Sequence, residues 1–335
     1  MDFTFFIGID VSKDELDFAV QRGRELLFHR EVTNQPNQIK AFLKELDKIL
    51  GFKLSSTVFC MEHTGVYCNH LLNVLHKKNA SISLEAATHI RNSQGNIRGK
   101  NDKIDSIRIA SYAYKNREEL RLWKPKRAVI QQISHFSAMR LRLIEAKKML
   151  TVPLIENGPF LNKKEAKDNN RLCSATLRAI QADIEKTEKA LNSIIDKDPE
   201  LKKLFDIITS VEGIGLVTAV QVIISTNEFK DINNPKKFAS YSGVAPFTDD
   251  SGRVVKKARV SHMANKKMKT LLHMAALIAI RYNSDLKKFY KRKVEIEKKN
   301  KMLVINAIRN KLILRIFACV NQNKKYEKNY QRLVA

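Results

Sequence analysis

The order of apolar segments in the N-terminal part of the chain constrains the fold more than any other feature. Three short apolar runs separated by polar turns predict an antiparallel meander of strands, after which helical and strand-like patterns alternate. The predicted elements are strands at 5–10, 16–21 and 26–32, a helix at 33–50, a strand at 56–62, a helix at 63–79 and a strand at 81–87. The segment 98–110 adds a further helix. This β-β-β-α-β-α-β-α order predicts an α/β domain with an RNase H-like fold.

Four acidic residues stand where such a fold would bring them together. Asp10 ends the first strand and Glu62 ends the fourth, and these strands are neighbours in an RNase H-like sheet. Asp102 and Asp105 are three residues apart, which places both on one face of a helix. Each acid alone has a simpler explanation as a turn, capping or helix-dipole residue. Together the four carboxylates would repel one another without a cation, which favours bound Mg²⁺ or Mn²⁺.

The middle of the chain predicts a long helical hairpin. Residues 126–150 and 171–196 have helical periodicity without proline or glycine, and Asn157-Gly158-Pro159 separates them. A stripe of period near 3.5 follows the second helix at Ile180, Ile184, Thr187, Leu191 and Ile194. The stripe suits either a core-facing helix or a coiled-coil arm between subunits, and periodicity does not choose between them.

A second compact unit begins near residue 201 and is mostly helical. Two apolar helices meet at Glu212-Gly213-Ile214-Gly215, a turn that suits a hairpin whose backbone N–H groups hold a phosphate. The same turn also suits a purely structural helix–helix connection. The predicted organisation is an α/β domain at 1–124, a helical arm at 125–200 and a third domain at 201–335.

The formal net charge of +26 indicates polyanionic partners. It exceeds what solubility needs, so nucleic acid is the leading candidate. No apolar run reaches the roughly 18 residues of a membrane helix, and the start MDFTFF is unlike a signal peptide. The four cysteines lack close paired spacing, so we expect buried thiols in a reducing cytoplasm and neither zinc ligands nor disulfides.

A candidate nucleophile, Ser251, lies in the turn Asp249-Asp250-Ser251-Gly252-Arg253. Serine before glycine is usually turn chemistry, but the basic residues around this one suit a phosphodiester and the charge that develops on it during attack. His262 is the nearest histidine and a weak candidate for the base that a serine nucleophile needs. The residues predicted to contact nucleic acid are Gly213, Gly215, Arg253, Lys256, Lys257, Arg259, Lys266, Lys267, Arg98 and Lys100.

Five motifs together resemble the IS110-type transposases, or DEDD recombinases, which include the pilin-gene invertases. IGIDVSK (7–13), MEHTGVY (61–67) and KNDKIDS (100–106) are similar to the three acidic motifs of that family. VEGIGLVTA (211–219) and FASYSGVAPFTDDSG (238–252) are similar to its GIG hairpin and its serine segment. The chain departs from the family pattern after the serine loop, where Ser-Lys-x-Gly is usual and SHMAN (261–265) stands here.

The resemblance implies a RuvC-like domain that binds Mg²⁺ through Asp10, Glu62, Asp102 and Asp105. It further implies a C-terminal transposase domain with a helix-hairpin-helix-like GIG motif, in which Ser251 forms a covalent phosphoserine link to DNA. That site would be shared between subunits of a dimer or tetramer. Donor DNA, target DNA and a structured guide RNA would be its partners, at the nucleoid of a bacterial cytoplasm.

Two other functions use the same residues differently. A metal-dependent nuclease such as a junction resolvase would use the four acids with water as the nucleophile, and Ser251 would then be structural. A nucleic-acid-binding scaffold would need only the basic surface, although four intact acids argue against it. The leading expectation is a DNA transposase that uses Ser251.

Overall fold

The structure is a computed structural model that describes residues 2–93, 101–247, 250–251, 254–255, 259–261 and 263–328. The chain divides into two compact units, Met1–Pro125 and Lys126–Ala335. The first is a mixed α/β unit and the second is mainly helical. The predicted division into three domains remains a prediction.

The first unit is built on a five-stranded mixed sheet. Its elements are β1 (Phe5–Val11), β2 (Glu15–Arg22), β3 (Glu25–Thr33), α1 (Pro36–Leu46), β4 (Thr57–Glu62), α2 (Asn69–Lys77), β5 (Ser81–Glu85), α3 (Ala87–Asn92) and α4 (Asp102–Lys115). The strand order is β3-β2-β1-β4-β5. β1, β2 and β3 form the predicted antiparallel meander, while β4 and β5 run parallel to β1. This topology is consistent with an RNase H-like fold.

The two faces of the sheet have different partners because successive side chains of a strand point to opposite faces. Phe5, Ile7 and Ile9 of β1 are fully buried in a core with α1 and α2. Each such side chain contributes about 1.5–3 kcal/mol through burial. Phe6 lies on the opposite face, in a smaller core with residues of β4 and α4. Asp10 shares this second face, so α4 is the helix that covers it.

The start of α1 differs from the prediction. The predicted helix began at residue 33, but the N-cap of α1 is Gln35, which makes no side-chain cap hydrogen bond. Pro36 begins the helix, where its missing N–H costs no hydrogen bond. The Asn34 amide instead donates to the carbonyls of Ser12 and Tyr67, at 3.0 Å each. Asn34 therefore ties the β1–β2 turn to the segment after β4.

The second unit is a helical assembly with two short strand pairs. Its elements are α5 (Ala128–Asn157), α6 (Lys163–Lys197), α7 (Pro199–Thr209), α8 (Leu216–Thr226), α9 (Pro235–Tyr241), β6 (Pro246–Phe247), β7 (Asp250–Ser251), β8 (Val254–Val255), β9 (Arg259–Val260), α10 (Lys266–Tyr282), α11 (Ser284–Lys291) and α12 (Lys301–Gln322). β6 pairs with β9 and β7 pairs with β8, both antiparallel. The apolar core joins residues of α5–α12.

The predicted hairpin of two long helices is confirmed as α5 and α6. Arg140 donates to Glu188, and Lys147 donates to Gln181. Seven residues further along α5, the partner on α6 is therefore seven residues earlier in the chain, so the two helices run antiparallel. In the predicted stripe on α6, Ile180 and Ile194 are partly buried, whereas Ile184, Thr187 and Leu191 are buried within this chain. Its core-facing interpretation is therefore correct at these positions. A coiled-coil arm between subunits remains a prediction.

Two properties of the described residues bear on the earlier expectations. All four cysteines are free, and Cys60, Cys68 and Cys319 are buried, as predicted, while Cys173 is partly exposed. No helix in the part of the chain that the structure describes is both long and apolar enough to cross a membrane.

Candidate functional site

The candidate metal site lies at one edge of the sheet in the first unit. Asp10 is the penultimate residue of β1 and Glu62 is the last residue of β4. These strands are parallel neighbours whose last paired residues are Ile9 and Met61, so Asp10 and Glu62 come next to each other beyond that pair. Both lie on the face that α4 covers. The sheet thus brings together two acids that are 52 positions apart in the sequence.

Gly8 determines how closely α4 approaches this edge. A Cβ atom on Gly8 would lie 2.1 Å from the backbone nitrogen of Ala110 and 2.2 Å from the carbonyl oxygen of Ser106. The backbone of α4 therefore rests on the backbone of β1 with no side chain between them. Asp102 and Asp105 belong to the first turn of this helix, at the end nearest Asp10 along the strand. The contact at Gly8 is what places their carboxylates beside Asp10.

The pKa of Asp10 reflects its proximity to Asp102 and Asp105. The pKa of the Asp10 carboxyl is raised from 3.8 to about 6, first by burial and then by the charges of Asp102 and Asp105. A carboxyl with a raised pKa is one whose charge the surroundings disfavour. A divalent cation would reverse this effect because it stabilises the ionised form. The site therefore has the electrostatic character of a cation site.

Asp105 has a protein partner in this structure. Its carboxylate accepts a hydrogen bond from Arg108 at 2.7 Å, one helical turn along α4. Asp102 is exposed, and Asn101 caps the helix by accepting from the Lys103 N–H. Among the described residues, no three side chains of His, Cys, Asp or Glu are placed to hold a metal ion together. The structure brings the acids to one edge without arranging them as a coordination sphere.

The donor set nevertheless fits a divalent cation. Asp10, Glu62, Asp102 and Asp105 offer only carboxylate oxygens, which are the ligands that Mg²⁺ and Mn²⁺ prefer. Rotation of Asp105 away from Arg108 would free that carboxylate for a metal.

Two further acids on the same face were missed by the sequence reasoning. Asp17 of β2 stands directly opposite Asp10, and its carboxylate contacts His29 Nε2 at 2.7 Å. Glu85 of β5 stands opposite Glu62. The sheet thus carries four acids in a row across four adjacent strands, Asp17, Asp10, Glu62 and Glu85. The signal for Asp17 was its place between Leu16 and Phe18, whose alternation puts it on the α4 face.

Glu85 is held by hydrogen bonds from its surroundings. Ser83 donates to it at 2.9 Å and the Tyr112 hydroxyl of α4 donates at 3.4 Å. His89 Nδ1 lies 3.4 Å from the same carboxylate. Burial and the Glu85 charge raise the pKa of Tyr112 to about 12, so its hydroxyl stays protonated and able to donate. Glu85 therefore links β5 to the helix that carries Asp102 and Asp105.

Ser251 lies on β7 in the second unit, and the structure describes only its backbone. It pairs with Val254 of β8. The sequence predicted a turn here and missed the short strands, although Val254-Val255 and Arg259-Val260 are typical strand residues. Ser242, another serine of the segment 238–252, is fully buried and donates to the Phe238 carbonyl of α9, so it is unsuited to attack DNA.

The residues predicted to contact nucleic acid fall into different environments. Arg259 and Lys266 are exposed, as a DNA contact requires. Lys267 is partly buried, and desolvation and the nearby charge of Arg140 lower its pKa, so it faces α5 and is less suited to a phosphate. Arg98, Lys100, Arg253, Lys256 and Lys257 lie outside the described residues, as do His262 and Gly252.

The two glycines of the predicted phosphate turn also differ. Gly213 has a φ of +95°, and a Cβ there would lie 2.6 Å from the Ala275 carbonyl oxygen of α10. Its role is close packing against that helix. Gly215 has open space around it and is the N-cap of α8, with no side-chain cap hydrogen bond. Only Gly215 has the accessible helix N-terminus that a phosphate would need.

Two family models match separate stretches of the chain. A family model described as "Transposase", for DEDD transposases of the IS110 type, matches residues 7–156. A second, described as "Transposase IS116/IS110/IS902 family", matches residues 205–291. The first covers all four acids, and the second covers Ser251.

Two relatives match over nearly the whole chain, and a third matches over less than half of it. The pilin gene-inverting protein of Moraxella bovis is 26% identical over 332 residues, covering 96% of this chain and 98% of the relative. That of Moraxella lacunata is 26% identical over 328 residues, with the same coverage. An uncharacterized 43.6 kDa protein of insertion element IS110 from Streptomyces coelicolor is 21% identical over 154 residues, covering 46% of this chain and 37% of the relative. The chain belongs to the IS110 family of transposases and is a DNA recombinase of the insertion-element type.

Proposed function

We propose that this IS110-family transposase cuts and rejoins DNA at specific sites through a phosphoserine at Ser251, assisted by Mg²⁺ held by Asp10, Glu62, Asp102 and Asp105. The observation that carries the proposal is the contact of α4 with β1 at Gly8, which brings two aspartates to the strand end that holds Asp10. Relatives named for the inversion of a pilin gene support recombination between defined sites.

The four acids would hold the cation, and each contributes differently. Asp10 is partly buried and its pKa is raised by the charges of Asp102 and Asp105, so its ionised form is stabilised when a cation offsets those charges. Asp102 is exposed and can reach a ligand without rearrangement, whereas Asp105 must first exchange its bond with Arg108. When bound, the metal would polarise the phosphodiester and stabilise the charge on its oxygens.

The serine supplies the covalent step. Its Oγ attacks the phosphorus, an Oγ–P bond forms as the bond from phosphorus to one strand oxygen breaks, and the serine proton passes to a base. The link stores the energy of the broken phosphodiester, so a second strand oxygen can displace the serine and rejoin DNA. Arg259, exposed on β9, would stabilise the phosphate charge.

The remaining partners are proposed on chemical grounds. A net charge of +26 suits more than one nucleic acid, which supports a structured guide RNA in addition to donor and target DNA. The acids and Ser251 belong to different compact units, which supports a homo-oligomer, a dimer or tetramer, that shares sites between subunits.

The test is a search for the covalent intermediate. The full chain would be incubated with Mg²⁺, supercoiled DNA carrying the element ends and RNA transcribed from its flanks, then denatured and resolved by size. We expect a protein–DNA adduct whose peptide contains Ser251 by mass spectrometry. Ser251→Ala should abolish it, and Ser261→Ala, a nearby exchange of the same kind, should not. An adduct that persists in Ser251→Ala would contradict the proposal.

The same experiment separates the nuclease alternative. If Ser251→Ala still cuts DNA while Asp105→Ala does not, water is the nucleophile and the protein is a metal-dependent nuclease. If neither the wild-type protein nor any variant cuts under any divalent ion, the chain is a nucleic-acid-binding scaffold.

A further inference from the structure

A groove of about 1060 Å³ opens in the second unit beside the strands that flank Ser251. It lies between α9, the β6–β9 strand pair, α10 and α12. Its walls include three side chains that are unusually exposed for apolar residues, Phe247, Met302 and Leu303, at 50%, 56% and 68%. Exposed apolar surface of this kind, inside a groove, indicates a binding site for a flat or apolar group.

The charged side chains that line the groove are all positive. The described residues that line it include four bases, Lys236, Arg259, Lys269 and Arg309, and no aspartate or glutamate. Phosphate is the anion that such a set attracts, and Arg and Lys are its usual partners. The groove therefore combines an apolar wall with a cationic one.

Arg309 is the most unusual of these residues. Only 5% of it is exposed, and its Nε is buried without a hydrogen-bond partner. Its Nη1 donates to the Asn306 side-chain oxygen at 3.3 Å, and its Nη2 donates to His273 Nδ1. Burial and the Arg309 charge both lower the pKa of His273, which keeps that ring neutral. Both acceptors are neutral, so no carboxylate among the described residues compensates the buried charge.

A buried cation without a counter-charge destabilises a fold, because burial removes its hydration and no opposite charge compensates for the loss. Asn306 also donates to the Val244 carbonyl at 2.8 Å, so the arginine is tied to the segment that leads into β6. An anion that enters the groove would supply the missing charge in a medium of low dielectric, where the attraction is strong. The groove is thus built to receive an anionic ligand that also has an apolar face.

We propose that this groove binds an unpaired nucleotide of the DNA strand, with its base against Phe247, Met302 and Leu303 and its phosphate drawn to Arg309 and Lys269. The choice of DNA rests on the proposed function, because Phe247 and Ser251 are four residues apart. Four residues of extended chain span at most about 14 Å, so a nucleotide held here is within two or three nucleotides of the serine. The groove would hold the strand while Ser251 acts on a neighbouring phosphate.

Binding without cleavage tests this separately from the recombination chemistry. Fluorescence anisotropy in EDTA would measure the affinity of the full chain for labelled single-stranded DNA, for RNA of the same sequence, and for a strand of abasic residues that keeps its phosphates. Phe247→Ala should weaken binding to normal DNA about tenfold, because base stacking is lost, and should leave binding to the abasic strand unchanged. Arg309→Met should weaken both about fivefold and reduce the salt dependence of binding by about one phosphate contact.

Matched controls separate the groove from general charge and folding effects. Lys287 is exposed on α11 and does not line the groove, so Lys287→Gln should change affinity less than twofold. Thermal unfolding should show Arg309→Met to be at least as stable as the wild type, since an apolar side chain replaces an uncompensated charge.

Three results would overturn the inference. One is unchanged DNA affinity in both Phe247→Ala and Arg309→Met. Another is an equal loss for the abasic strand in Phe247→Ala, which would remove the role of the base. The third is a loss confined to the RNA strand, which would assign the groove to RNA. None of these depends on whether an adduct forms at Ser251.

Discussion

Gly8 and Ala110 are in direct backbone contact: a methyl group on Gly8 would lie 2.1 Å from the Ala110 nitrogen. No real Cβ atom tolerates such a distance, so any larger residue at position 8 must push α4 away from the sheet. This displacement would also move the first turn of α4, because a helix moves as a rigid element. The positions of Asp102 and Asp105 relative to Asp10 therefore depend on a glycine that carries no chemistry.

Gly8→Ala should impair metal binding more than its small volume suggests. We expect a loss of about 1–3 kcal/mol in unfolding free energy from overpacking. Because α4 must shift, we also expect at least a tenfold loss of Mn²⁺ affinity, measured by isothermal titration calorimetry at a temperature where the variant is folded. Gly158→Ala is the control, since a Cβ there meets nothing within 4 Å and should change neither quantity. Wild-type Mn²⁺ affinity in Gly8→Ala would show that α4 does not position the site.

The raised pKa of Asp10 predicts how the metal-free protein responds to pH. The folded carboxyl holds its proton up to about pH 6, whereas in the unfolded chain it releases the proton near its ordinary value of 3.8. The unfolded state therefore binds fewer protons between these values, and stability falls as pH rises through that window. Urea unfolding in EDTA should show this fall in the wild-type protein and a smaller fall in Asp10→Asn.

Two additions make the pH experiment decisive. Asp14→Asn removes an exposed carboxylate from the turn after β1 and should leave the profile unchanged. At pH 7, Mg²⁺ should stabilise the wild-type protein and not Asp10→Asn, because a cation offsets the charges that raise the Asp10 pKa. Equal stabilisation of both proteins by Mg²⁺ would place the ion elsewhere.

The fold of the first unit was predictable because its signals are local. Alternating apolar residues indicated the strands of the meander, and Asp10 and Glu62 stand at strand ends that the sequence order makes neighbours. Their convergence follows from topology alone. The contact at Gly8 was not predictable, since it depends on which residues of α4 cross the strand. The small residues Ser106 and Ala110, one turn apart, were the available signal.

The burial and the neighbours of a side chain were harder to predict than which residues were candidates for the site. Lys267 has the same side chain as Lys266, but only the structure shows that it faces α5 and is partly desolvated. The sequence did not single out Arg309, since an arginine in an apolar helix is usually a surface residue, whereas this one is almost fully buried. Periodicity assigns a residue to one face of a helix, but it does not show which element packs against that face.

Among the ion-paired residues that the structure describes in the second unit, we expect substitution of Arg127 to lower the stability most. It stands before α5 and makes two bonds to Asp198 at 3.0 and 3.2 Å and two to Glu228. The Glu228 side chain is only 7% exposed. Arg127→Met leaves that buried carboxylate with Lys230, 3.0 Å away, as its remaining partner, so we expect a loss of about 2–3 kcal/mol in urea unfolding.

The matched control for Arg127 is an exposed pair in the first unit. Arg30 lies 3.6 Å from Glu45, and both side chains are at least half exposed, at 55% and 50%. Arg30→Met should cost less than about 1 kcal/mol, since water solvates the remaining carboxylate. A double variant, Arg127→Met with Glu228→Gln, should recover part of the loss because no buried charge remains. Failure to recover any of it would assign the effect of Arg127 to packing.

The two glycines of the turn before α8 should respond oppositely to alanine. Gly213 combines a φ of +95° with a Cβ position 2.6 Å from the Ala275 carbonyl oxygen and 2.9 Å from the Ala279 Cβ. Gly213→Ala therefore faces both backbone strain and a clash with α10, and we expect it to lose more than about 2 kcal/mol of stability. Gly215→Ala meets no atom within 4 Å and should cost less than about 1 kcal/mol, the usual effect at an N-cap.

DNA binding by the same pair then tests the phosphate interpretation of this turn. The N–H groups at the start of α8 remain in place in Gly215→Ala, but the added methyl group lies where a phosphate would approach them. We therefore expect Gly215→Ala to fold like the wild type and to bind duplex DNA more weakly, by about threefold in anisotropy titrations. If its affinity is unchanged, the turn is a structural connection in which Gly213 allows close packing against α10.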